Sequence, residues 1–251
     1  MMIDLPQIRI AFPHRRIEWH DSIDSTMPAA AKLIQAGAPA GTIVGAEQQT
    51  GGMGRHGHSW HSPTGTGLYV SIILDQPSLA ASSPLIMLAL GLATRQAIAE
   101  VTNLVPDLRW PNDLILRDKK CAGILAKSEG AHLIAGIGIN VSQREFPPEL
   151  DPIATSLHRC AAFDVTRESL LIALVNGVDE YCRMLETQGG EAICDEFLRT
   201  SSYAFGRRVR VELEGQVIEG VTQGLDASGF LLVRRDDGVT QTILTGGVRA
   251  V

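Results

Sequence analysis

The stretch that decides the fold lies between residues 108 and 141. It begins with LRWPNDLIL (residues 108–116), turns at RDKK (117–120), and continues with CAGILAK (121–127) and HLIAGIGINV (132–141). Short apolar runs bounded by turn residues are typical of strands, and tight polar turns favour antiparallel pairing. We therefore predict an antiparallel or mixed sheet built from neighbouring segments of the chain.

Helices and further strands flank this stretch on both sides. Residues 23–37, IDSTMPAAAKLIQAG, contain the start and stop signals of a helix, because Ser25 or Thr26 can cap its N-terminus and Gly37 follows its C-terminus. The run SPLIMLALGLATRQAIAEV (83–101) is apolar nearly all round, which indicates a buried helix. The remaining elements are strands at GTIVGAEQ (41–48) and GLYVSIIL (67–74), and amphipathic helices at TRESLLIALVNGVDEYCRML (166–185) and EAICDEFLRTS (191–201).

The pattern of the chain changes after Tyr203. Apolar and polar residues alternate there, with turn residues at EG (214–215), DASG (226–229) and DDG (236–238). About five short strands in so short a segment predict a small β-barrel. The predicted fold is α+β, with a mixed, mainly antiparallel sheet and packed helices in residues 1–203 and a small C-terminal β-barrel in residues 204–251.

Composition limits the functional classes. A chain of 251 residues that is 45% hydrophobic can bury a full core, which predicts one large domain with a small appendage. The net charge is −6 and no basic run is present. Because affinity for nucleic-acid phosphates comes mainly from clustered Lys and Arg, we expect no DNA partner.

Cysteine spacing and hydropathy indicate the compartment. The four cysteines lie far apart without a C-x-x-C pair, which predicts buried free thiols and a reducing environment. The N-terminal segment MMIDLPQIRIAFPHRR has no signal-peptide core, and no apolar run approaches the ~18 residues that span a membrane. We therefore expect a cytoplasmic protein with no membrane partner.

Residues 47–60, EQQTGGMGRHGHSW, are too rich in glycine and polar residues to belong to a core. Three interpretations stay open: an anion-binding loop with Arg55, a metal loop built on three histidines (His56, His58 and His61), and a mobile connector. A Walker A loop is excluded because G-x-x-x-x-G-K-[ST] is absent. A Rossmann fingerprint is excluded because a strand follows the glycines instead of a helix.

The segment RWPND (109–113) has two interpretations. Pro111 followed by Asn112 and Asp113 is turn chemistry, which predicts a strand–turn–strand corner. The same residues can also display an amide and a carboxylate at a strand edge that faces a ligand. Arg109 and Lys120 flank this hairpin near apolar strands, where a cation either extends to solvent or pairs with an anion.

The order of these motifs is more specific than any one of them. A capped DST helix, a Gly/Arg loop that ends in Trp, WPNDL, K-x-AGIL, GIGIN and a C-terminal barrel follow one another along the chain. This order resembles the biotin protein ligases, from about Asp21 to the C-terminus. The resemblance implies a class II synthetase-like catalytic domain with a small SH3-like barrel. The implied reaction is ATP-dependent attachment of biotin to a lysine of a biotin carboxyl carrier protein through biotinyl-5′-AMP, with biotin, ATP and Mg²⁺ bound.

The resemblance also implies roles for individual residues. Lys120, Arg55 and Asp113 correspond to catalytic positions, with Lys120 beside the biotin carboxylate and the α-phosphate and Asp113 placed to accept a proton from the incoming lysine. The implied biotin-binding residues are Ser25, Thr26, Gln48, Gly52, Met53, Gly54, Arg55, Lys120 and Gly123. The implied ATP- or adenylate-binding residues are Arg55, Trp60, Asn112, Lys120 and Asn140. The resemblance assigns no metal ligands.

The glycine-rich loop departs from the family pattern. The family loop usually reads G-R-G-R-[RH]-G-R, whereas this chain has GGMGRHGH with an extra glycine, Met53 at the first arginine position and His58 at the last. Arg55 is the cation that remains, which predicts weaker retention of the adenylate. We expect this loop to stay open so that ATP enters, and then to close over the mixed anhydride.

Three further expectations concern the class of ligase and its partners. About twenty residues precede the DST helix, too few for the winged helix-turn-helix of repressor-type members, so the chain resembles the short form without a DNA-binding domain. The rival enzyme is a lipoate or octanoate ligase, and the rival from another class is a non-catalytic biotin- or nucleotide-holding module. The sequence leaves homodimer formation open.

Overall fold

A seven-stranded sheet forms the centre of the fold. The computed structural model describes residues 2–75, 84–160, 166–213 and 216–251. The strands of this sheet are β1 (Ile17–His20), β2 (Ile43–Ala46), β3 (Gly67–Asp75), β4 (Asp107–Arg109), β5 (Asp113–Leu116), β6 (Lys119–Glu129) and β7 (His132–Asn140). Their order is β1-β2-β3-β7-β6-β5-β4, and the β1–β2 pair is parallel while the others are antiparallel. The prediction of a mixed, mainly antiparallel sheet is confirmed.

The stretch from residue 108 onward forms one edge of this sheet, as its turn chemistry predicts. The peptide bond between Trp110 and Pro111 is cis and lies between β4 and β5. Arg117 and Asp118 have positive φ values of 50° and 61° and link β5 to β6 by a two-residue turn. Positive φ at both central residues matches the twist of antiparallel strands, so this turn fixes the β5–β6 register.

The helices cover both faces of the sheet. Their bounds are α1 (Leu5–Ala11), α2 (Thr26–Gln35), α3 (Leu85–Thr102), α4 (Leu157–Cys160) and α5 (Arg167–Thr200). Ser25 is the N-cap of α2, but its side chain makes no capping hydrogen bond, and Gly37 follows with φ of 82°. The sequence prediction missed α1 and β1, because elements of seven and four residues carry too few apolar repeats to show a period.

Helix α3 is the buried helix that the sequence predicts. It is long and apolar enough to cross a membrane by length and composition alone, so the prediction that no apolar run approaches that length is wrong. Leu88, Leu90 and Ile98 are fully buried in the core, and 67% of the helix is buried. An apolar core helix of a soluble protein has the same composition. Residue 83, with which the predicted helix begins, lies outside the described residues.

Helix α5 contains both predicted amphipathic helices. Gly189 has φ of 81° and ψ of −179°, which breaks helical geometry between them. This kink accounts for the separation seen in the sequence, where the periodic pattern stops near the glycine pair at 189 and 190.

The C-terminal segment forms a separate five-stranded antiparallel sheet. Its strands are β8 (Phe205–Leu213), β9 (Gln216–Leu225), β10 (Leu231–Arg235), β11 (Thr240–Ile243) and β12 (Gly247–Ala250), in the order β11-β10-β9-β8-β12. The predicted strand number is confirmed, and the turn at 214–215 lies outside the described residues. Trp110 donates a hydrogen bond from Nε1 to the carbonyl of Gly229 at 3.0 Å, which joins this sheet to the WPND corner.

A buried ion pair links α5 to the end of β2. Arg167 Nη1 lies 2.8 Å from Glu47 Oε2, and the exposed fractions of the two side chains are 7% and 0%. Glu47 Oε1 also accepts hydrogen bonds at 3.0 Å from Trp19 Nε1 and from the backbone N–H of Ile3. Since Glu47 directly precedes the glycine-rich stretch, this network fixes the point at which that stretch leaves the sheet.

Candidate active site

A cleft lies between the N-terminal end of α2, the glycine-rich loop and strands β6 and β7. Nine of the residues that the sequence predicts for the site line it: Ser25, Thr26, Met53, Gly54, Arg55, Trp60, Asn112, Lys120 and Gly123. They come from four separate segments of the chain: the start of α2, the glycine-rich stretch, the RWPND corner and β6. The fold therefore brings together most of the predicted constellation in one place.

The closed end of the cleft is polar. Gln49 Oε1 accepts hydrogen bonds from the backbone N–H of Thr26 at 2.9 Å and from its hydroxyl at 3.3 Å. Gln49 Nε2 donates to Ser62 Oγ at 3.0 Å, and Thr26 Oγ1 lies 2.8 Å from Ser71 Oγ. Ser25 and Thr26 are each 3% exposed, so this end presents fixed donors and acceptors away from bulk water.

The glutamine at this end is Gln49, whereas the sequence analysis assigned Gln48. Gln48 does not line the cleft in the structure. The two glutamines are adjacent and follow β2, in which all four residues are buried. Because a strand buried on both faces shows no alternation, its pattern does not tell which of the two side chains points inward.

Lys120 lines the other end of the cleft and belongs to a lysine–carboxylate–arginine cluster, whose other members, Asp113 and Arg109, lie behind it and do not line the cleft. Lys120 Nζ lies 2.5 Å from Asp113 Oδ1, and Arg109 Nη2 lies 2.7 Å from Asp113 Oδ2. Burial is the largest influence on Asp113 and raises its pKa, but Lys120 and Arg109 together bring that pKa below its ordinary value. The carboxylate is therefore ionised at neutral pH and holds the ammonium group of Lys120 in place.

Two glycines allow Trp60 to lie against the sheet. A Cβ atom on Gly138 would stand 2.5 Å from Trp60 Nε1, and one on Gly123 would stand 3.1 Å from the indole ring. Lys120 Nζ lies 5.3 Å from the centre of the same ring, within cation–π range. The glycines of AGIL and GIGIN are thus explained by close packing, and the ring forms an apolar wall beside the cation.

The glycine-rich loop is folded over the cleft. Met53 pairs with Ser59 in an antiparallel bridge, the backbone N–H of Gly54 donates to the carbonyl of His58 at 2.7 Å, and residues Arg55–Gly57 form a short 3₁₀ turn. The loop in this structure is a small hairpin, which differs from the open loop expected from the sequence. The backbone bonds across the hairpin replace the solvent contacts that an open loop would make.

Arg55 fastens this loop to two other parts of the chain. Its Nη1 donates to Asn112 Oδ1 at 3.1 Å, and its Nη2 donates at 3.5 Å to Oγ1 of Thr245, between β11 and β12. Burial lowers the pKa of Arg55, and the negative charge of Asp113 opposes that shift. A guanidinium whose pKa is lowered by burial has lost part of its hydration, which favours binding an anion.

Asn140 does not line the cleft. Its Nδ2 donates to the carbonyl of Thr155 at 2.9 Å, and its Oδ1 accepts from Gln143 Nε2 at 3.3 Å. Gly52 is also absent from the lining, although a Cβ there would stand 2.5 Å from the Trp60 carbonyl. The structure therefore gives these two residues supporting positions next to the cleft.

The metal-loop interpretation has no support in the described part of the chain. No group of three or more histidine, cysteine, aspartate or glutamate side chains comes together there. The side chain of His56 lies outside the described residues, and His58 is exposed. The arrangement around Arg55 fits the anion-binding interpretation of the loop instead.

The loop conformation limits the space available. The cleft has a volume of about 50 Å³, well below the roughly 300–1,000 Å³ of ligand pockets. A second cavity of about 610 Å³ lies beside it, and Met53, Gly54 and Arg55 line both cavities. These three loop residues therefore stand between the two cavities.

The comparisons with known proteins agree with this geometry. Residues 19–143 match the Biotin/lipoate A/B protein ligase family, and residues 204–248 match the Biotin protein ligase C terminal domain. The bifunctional ligase/repressor BirA of Bacillus subtilis is 34% identical over 230 residues, which cover 88% of this chain and 70% of that protein. The chain belongs to the biotin protein ligase family.

Further relatives of the ligase come from other bacteria. The biotin–[acetyl-CoA-carboxylase] ligase of Mycobacterium tuberculosis is 32% identical over 214 residues, which cover 82% of this chain and 77% of that protein. The solved structure of a biotin protein ligase from Aquifex aeolicus in complex with biotin and ATP has a TM-score of 0.84 and 30% identity. The match covers 94% of this chain and 99% of that chain, so both sheets of the ligase have counterparts there.

Some parts of the site in this ligase carry only a weak signal in the sequence. Gly136 and Gly138 line the cleft, and their role becomes visible only when Met27 and Trp60 are seen packed against them. Thr245 reaches Arg55 across 190 residues of sequence. Most residues of β7 are buried, so apolar and polar residues do not alternate along it and its cleft-facing side cannot be identified from the sequence. Only its repeated glycines indicate that another part of the chain packs closely against it.

Proposed function

We propose that the ligase binds biotin in this cleft, with the ureido ring at Ser25, Thr26 and Gln49 and the carboxylate at Lys120. The polar end can exchange hydrogen bonds with a ring that carries both donors and an acceptor. Val70, Ile124 and Ile137 supply apolar walls between the two ends. The observation that carries the proposal is the separation of a buried amide–hydroxyl end from a fixed ammonium group in one cleft.

The first step joins biotin to AMP. A carboxylate oxygen of biotin attacks the α-phosphorus of ATP, a C–O–P bond forms, and the bond to the departing pyrophosphate breaks. Lys120 lies where it can neutralise both the attacking carboxylate and the α-phosphate oxygens, while Arg55 lies at the loop side. Fixed cations in a site sheltered from water stabilise the charge that develops in this transition state.

The second step transfers biotin to a lysine amine. The amine nitrogen attacks the carbonyl carbon of biotinyl-5′-AMP and gives up a proton to Asp113 or to water as the amide bond forms. The C–O bond to the phosphate breaks, and AMP leaves with the bonding electrons. Asp113 is the carboxylate nearest to Lys120 and accepts hydrogen bonds in its ionised state. Its lowered pKa makes it a weak base, so orientation of the amine is its larger contribution.

Mg²⁺ has no protein-built site in the described parts of the ligase. Asp113, the carboxylate behind Lys120 at the edge of the cleft, is already paired with two cations, and no cluster of metal ligands forms nearby. These residues do not fit a bound metal ion. We propose that Mg²⁺ accompanies the ATP phosphates, which is a common mode for this ion.

The acceptor, the compartment and the domain division are further parts of the proposal. The acceptor is a biotin carboxyl carrier protein whose lysine enters the cleft beside Asp113.

Free cysteines at all four positions are in keeping with a reducing cytoplasm. The break between α5 and β8 supports a catalytic domain in residues 1–203 and a C-terminal domain in residues 204–251.

Transfer to the carrier tests this function. Wild-type ligase, ATP, biotin and a carrier domain should give a biotinylated carrier, and a carrier whose acceptor lysine is changed to arginine should stay unlabelled. Lipoate and octanoate are the comparison substrates, since a polar-ended cleft should reject a long alkyl chain. Equal transfer of octanoate would replace the proposal with the lipoate- or octanoate-ligase alternative, and no transfer of any acid would favour the non-catalytic holding module.

The loop arginine gives a prediction about retention of the intermediate. A charge-assisted hydrogen bond to phosphate contributes about 1.5–3 kcal/mol, so Arg55→Gly should weaken the hold on biotinyl-5′-AMP roughly 10- to 150-fold. Released adenylate would then acylate lysines on bystander proteins. The measurement is the dissociation rate of preformed adenylate, and a rate equal to that of wild type would support the connector interpretation of the loop.

Met53 provides the matched variant in the opposite direction. It is 51% exposed on the same loop and carries no charge. Met53→Arg should slow adenylate release, because a second guanidinium would then stand near the phosphate. Faster release from Met53→Arg than from wild type would contradict this prediction and would show that an arginine at residue 53 disturbs the packing of the loop.

Charge also predicts the response to DNA. With a net charge of −6 the ligase should show no sequence-specific, salt-sensitive DNA binding. A gel-shift assay at low and moderate salt measures this with the promoter regions of biotin-related genes as probes. Specific complexes that weaken as salt rises would contradict the expectation.

A further inference from the structure

The backbone of the catalytic lysine is held by a segment that the reaction itself does not use. The backbone N–H of Lys120 donates to the carbonyl of Ile153 at 2.8 Å, and the N–H of Thr155 donates to the carbonyl of Lys120 at 2.9 Å. Lys120 and Ala154 form a parallel bridge between these two bonds. Residues 147–156, which we name the strap, therefore end in a single strand-like bridge at Ala154 beside the start of β6.

One arginine fastens this strap from outside the cleft. Arg159 Nη1 donates to Asp151 Oδ1 at 2.7 Å, while its Nε and Nη2 donate to the carbonyl of Arg144 at 2.9 and 2.7 Å. Its guanidinium also lies 4.9 Å from the centre of the Phe146 ring. The planar guanidinium of Arg159 thus holds the backbone at Arg144 and the strap at Asp151 at the same time. A lysine has a single ammonium nitrogen and cannot bind both groups with this geometry.

The contacts continue from the strap to β6. Lys119 Nζ donates to the carbonyl of Asp151 at 2.5 Å, directly beside the carboxylate that Arg159 holds. Asn140 binds the carbonyl of Thr155 from the other side. The chain of contacts runs from Arg159 through Asp151 and the strap to the backbone of Lys120, whose side chain then meets Asp113.

We propose that Arg159 is a positioning residue that sets the place of the Lys120 ammonium group through the strap. Its side-chain contacts in the described residues are with Asp151, Arg144 and Phe146, none of which lines the cleft, so its effect on Lys120 passes through the strap. Displacement of a catalytic group by about 1 Å can lower a rate as much as 10²-fold. The inference rests on the proposed role of Lys120 in adenylate formation.

The test measures biotin- and ATP-dependent pyrophosphate release by the full chain. Arg159→Ala should lower kcat about 10-fold, with little change in KM for biotin, because the polar end of the cleft is untouched. Arg159→Lys should recover part of the rate, since it keeps a positive charge for Asp151. Asp151→Asn is the milder variant, because the bonds from Arg159 to the Arg144 carbonyl remain.

Arg208→Ala is the matched control. It removes an exposed bidentate pair with Asp236 in the C-terminal domain and should leave the rate unchanged.

A double-mutant cycle separates positioning from simple structural loss. In a Lys120→Ala background, Arg159→Ala should cause no further decrease, because the group that it positions is absent. The inference is overturned if the two effects multiply, or if Arg159→Ala changes KM for ATP and leaves kcat intact. A wild-type enzyme that releases no pyrophosphate would contradict the proposed function itself, whereas the outcomes above concern only the positioning role of Arg159.

Discussion

Replacement of Lys120 by alanine should reduce adenylate formation by about 10²-fold or more, the scale of one lost charge-stabilising donor. Lys120 Nζ is held 2.5 Å from Asp113 and against the Trp60 ring, so its ammonium group is fixed before a substrate arrives. Alanine leaves the backbone bonds of β6 in place. Pyrophosphate release at saturating ATP and biotin measures the effect, with circular dichroism and thermal unfolding as checks on folding.

Lys127→Ala is the control on the same strand. Lys127 is 62% exposed and pairs with Glu129, away from Asp113. It should keep the wild-type rate. A well-folded Lys120→Ala enzyme that releases pyrophosphate at nearly the wild-type rate would remove Lys120 from the mechanism.

Replacement of Arg167 by methionine should lower the free energy of unfolding by about 3–5 kcal/mol, as expected when one partner of a buried ion pair is removed. Glu47 is 0% exposed, and the variant would leave its carboxylate buried without the guanidinium 2.8 Å away. The remaining donors, Trp19 Nε1 and the N–H of Ile3, both bind Oε1. Denaturant unfolding at neutral pH gives the value directly.

The double variant tests the cause of that loss. Glu47→Gln in the Arg167→Met background removes the buried charge but keeps an acceptor for Trp19 and Ile3, so part of the stability should return. Arg208→Met breaks an exposed pair and should leave the free energy of unfolding nearly unchanged. If Arg167→Met costs no more than Arg208→Met, the buried pair does not stabilise the fold.

The sequence predicts the elements whose signals are local. The RWPND corner, the turn at Arg117 and Asp118 and the helix that follows Ser25 are all present, because each depends on residues within one turn. The five C-terminal strands are also present, since their alternation is continuous. The motif order identified the family, and nine predicted site residues line one cleft.

The remainder depends on contacts between distant segments. Gln49 faces the cleft instead of Gln48 because the register of β2 against β3 decides which way the chain leaves the strand. The Glu47–Arg167 pair joins residues that are 120 positions apart in the sequence. The strap contacts Lys120 from more than 30 positions further along the chain. Local propensity contains no information on such pairs, so only the folded structure reveals them.

Pyrophosphate release from ATP by the wild-type ligase, measured with and without biotin and in the absence of a carrier, tests the central claim most directly. We predict release that requires biotin, forms biotinyl-5′-AMP in equal amount, and falls by about 10²-fold or more in Lys120→Ala. Release that is independent of biotin, or equally supported by octanoate, would contradict the assignment of this cleft to biotin activation.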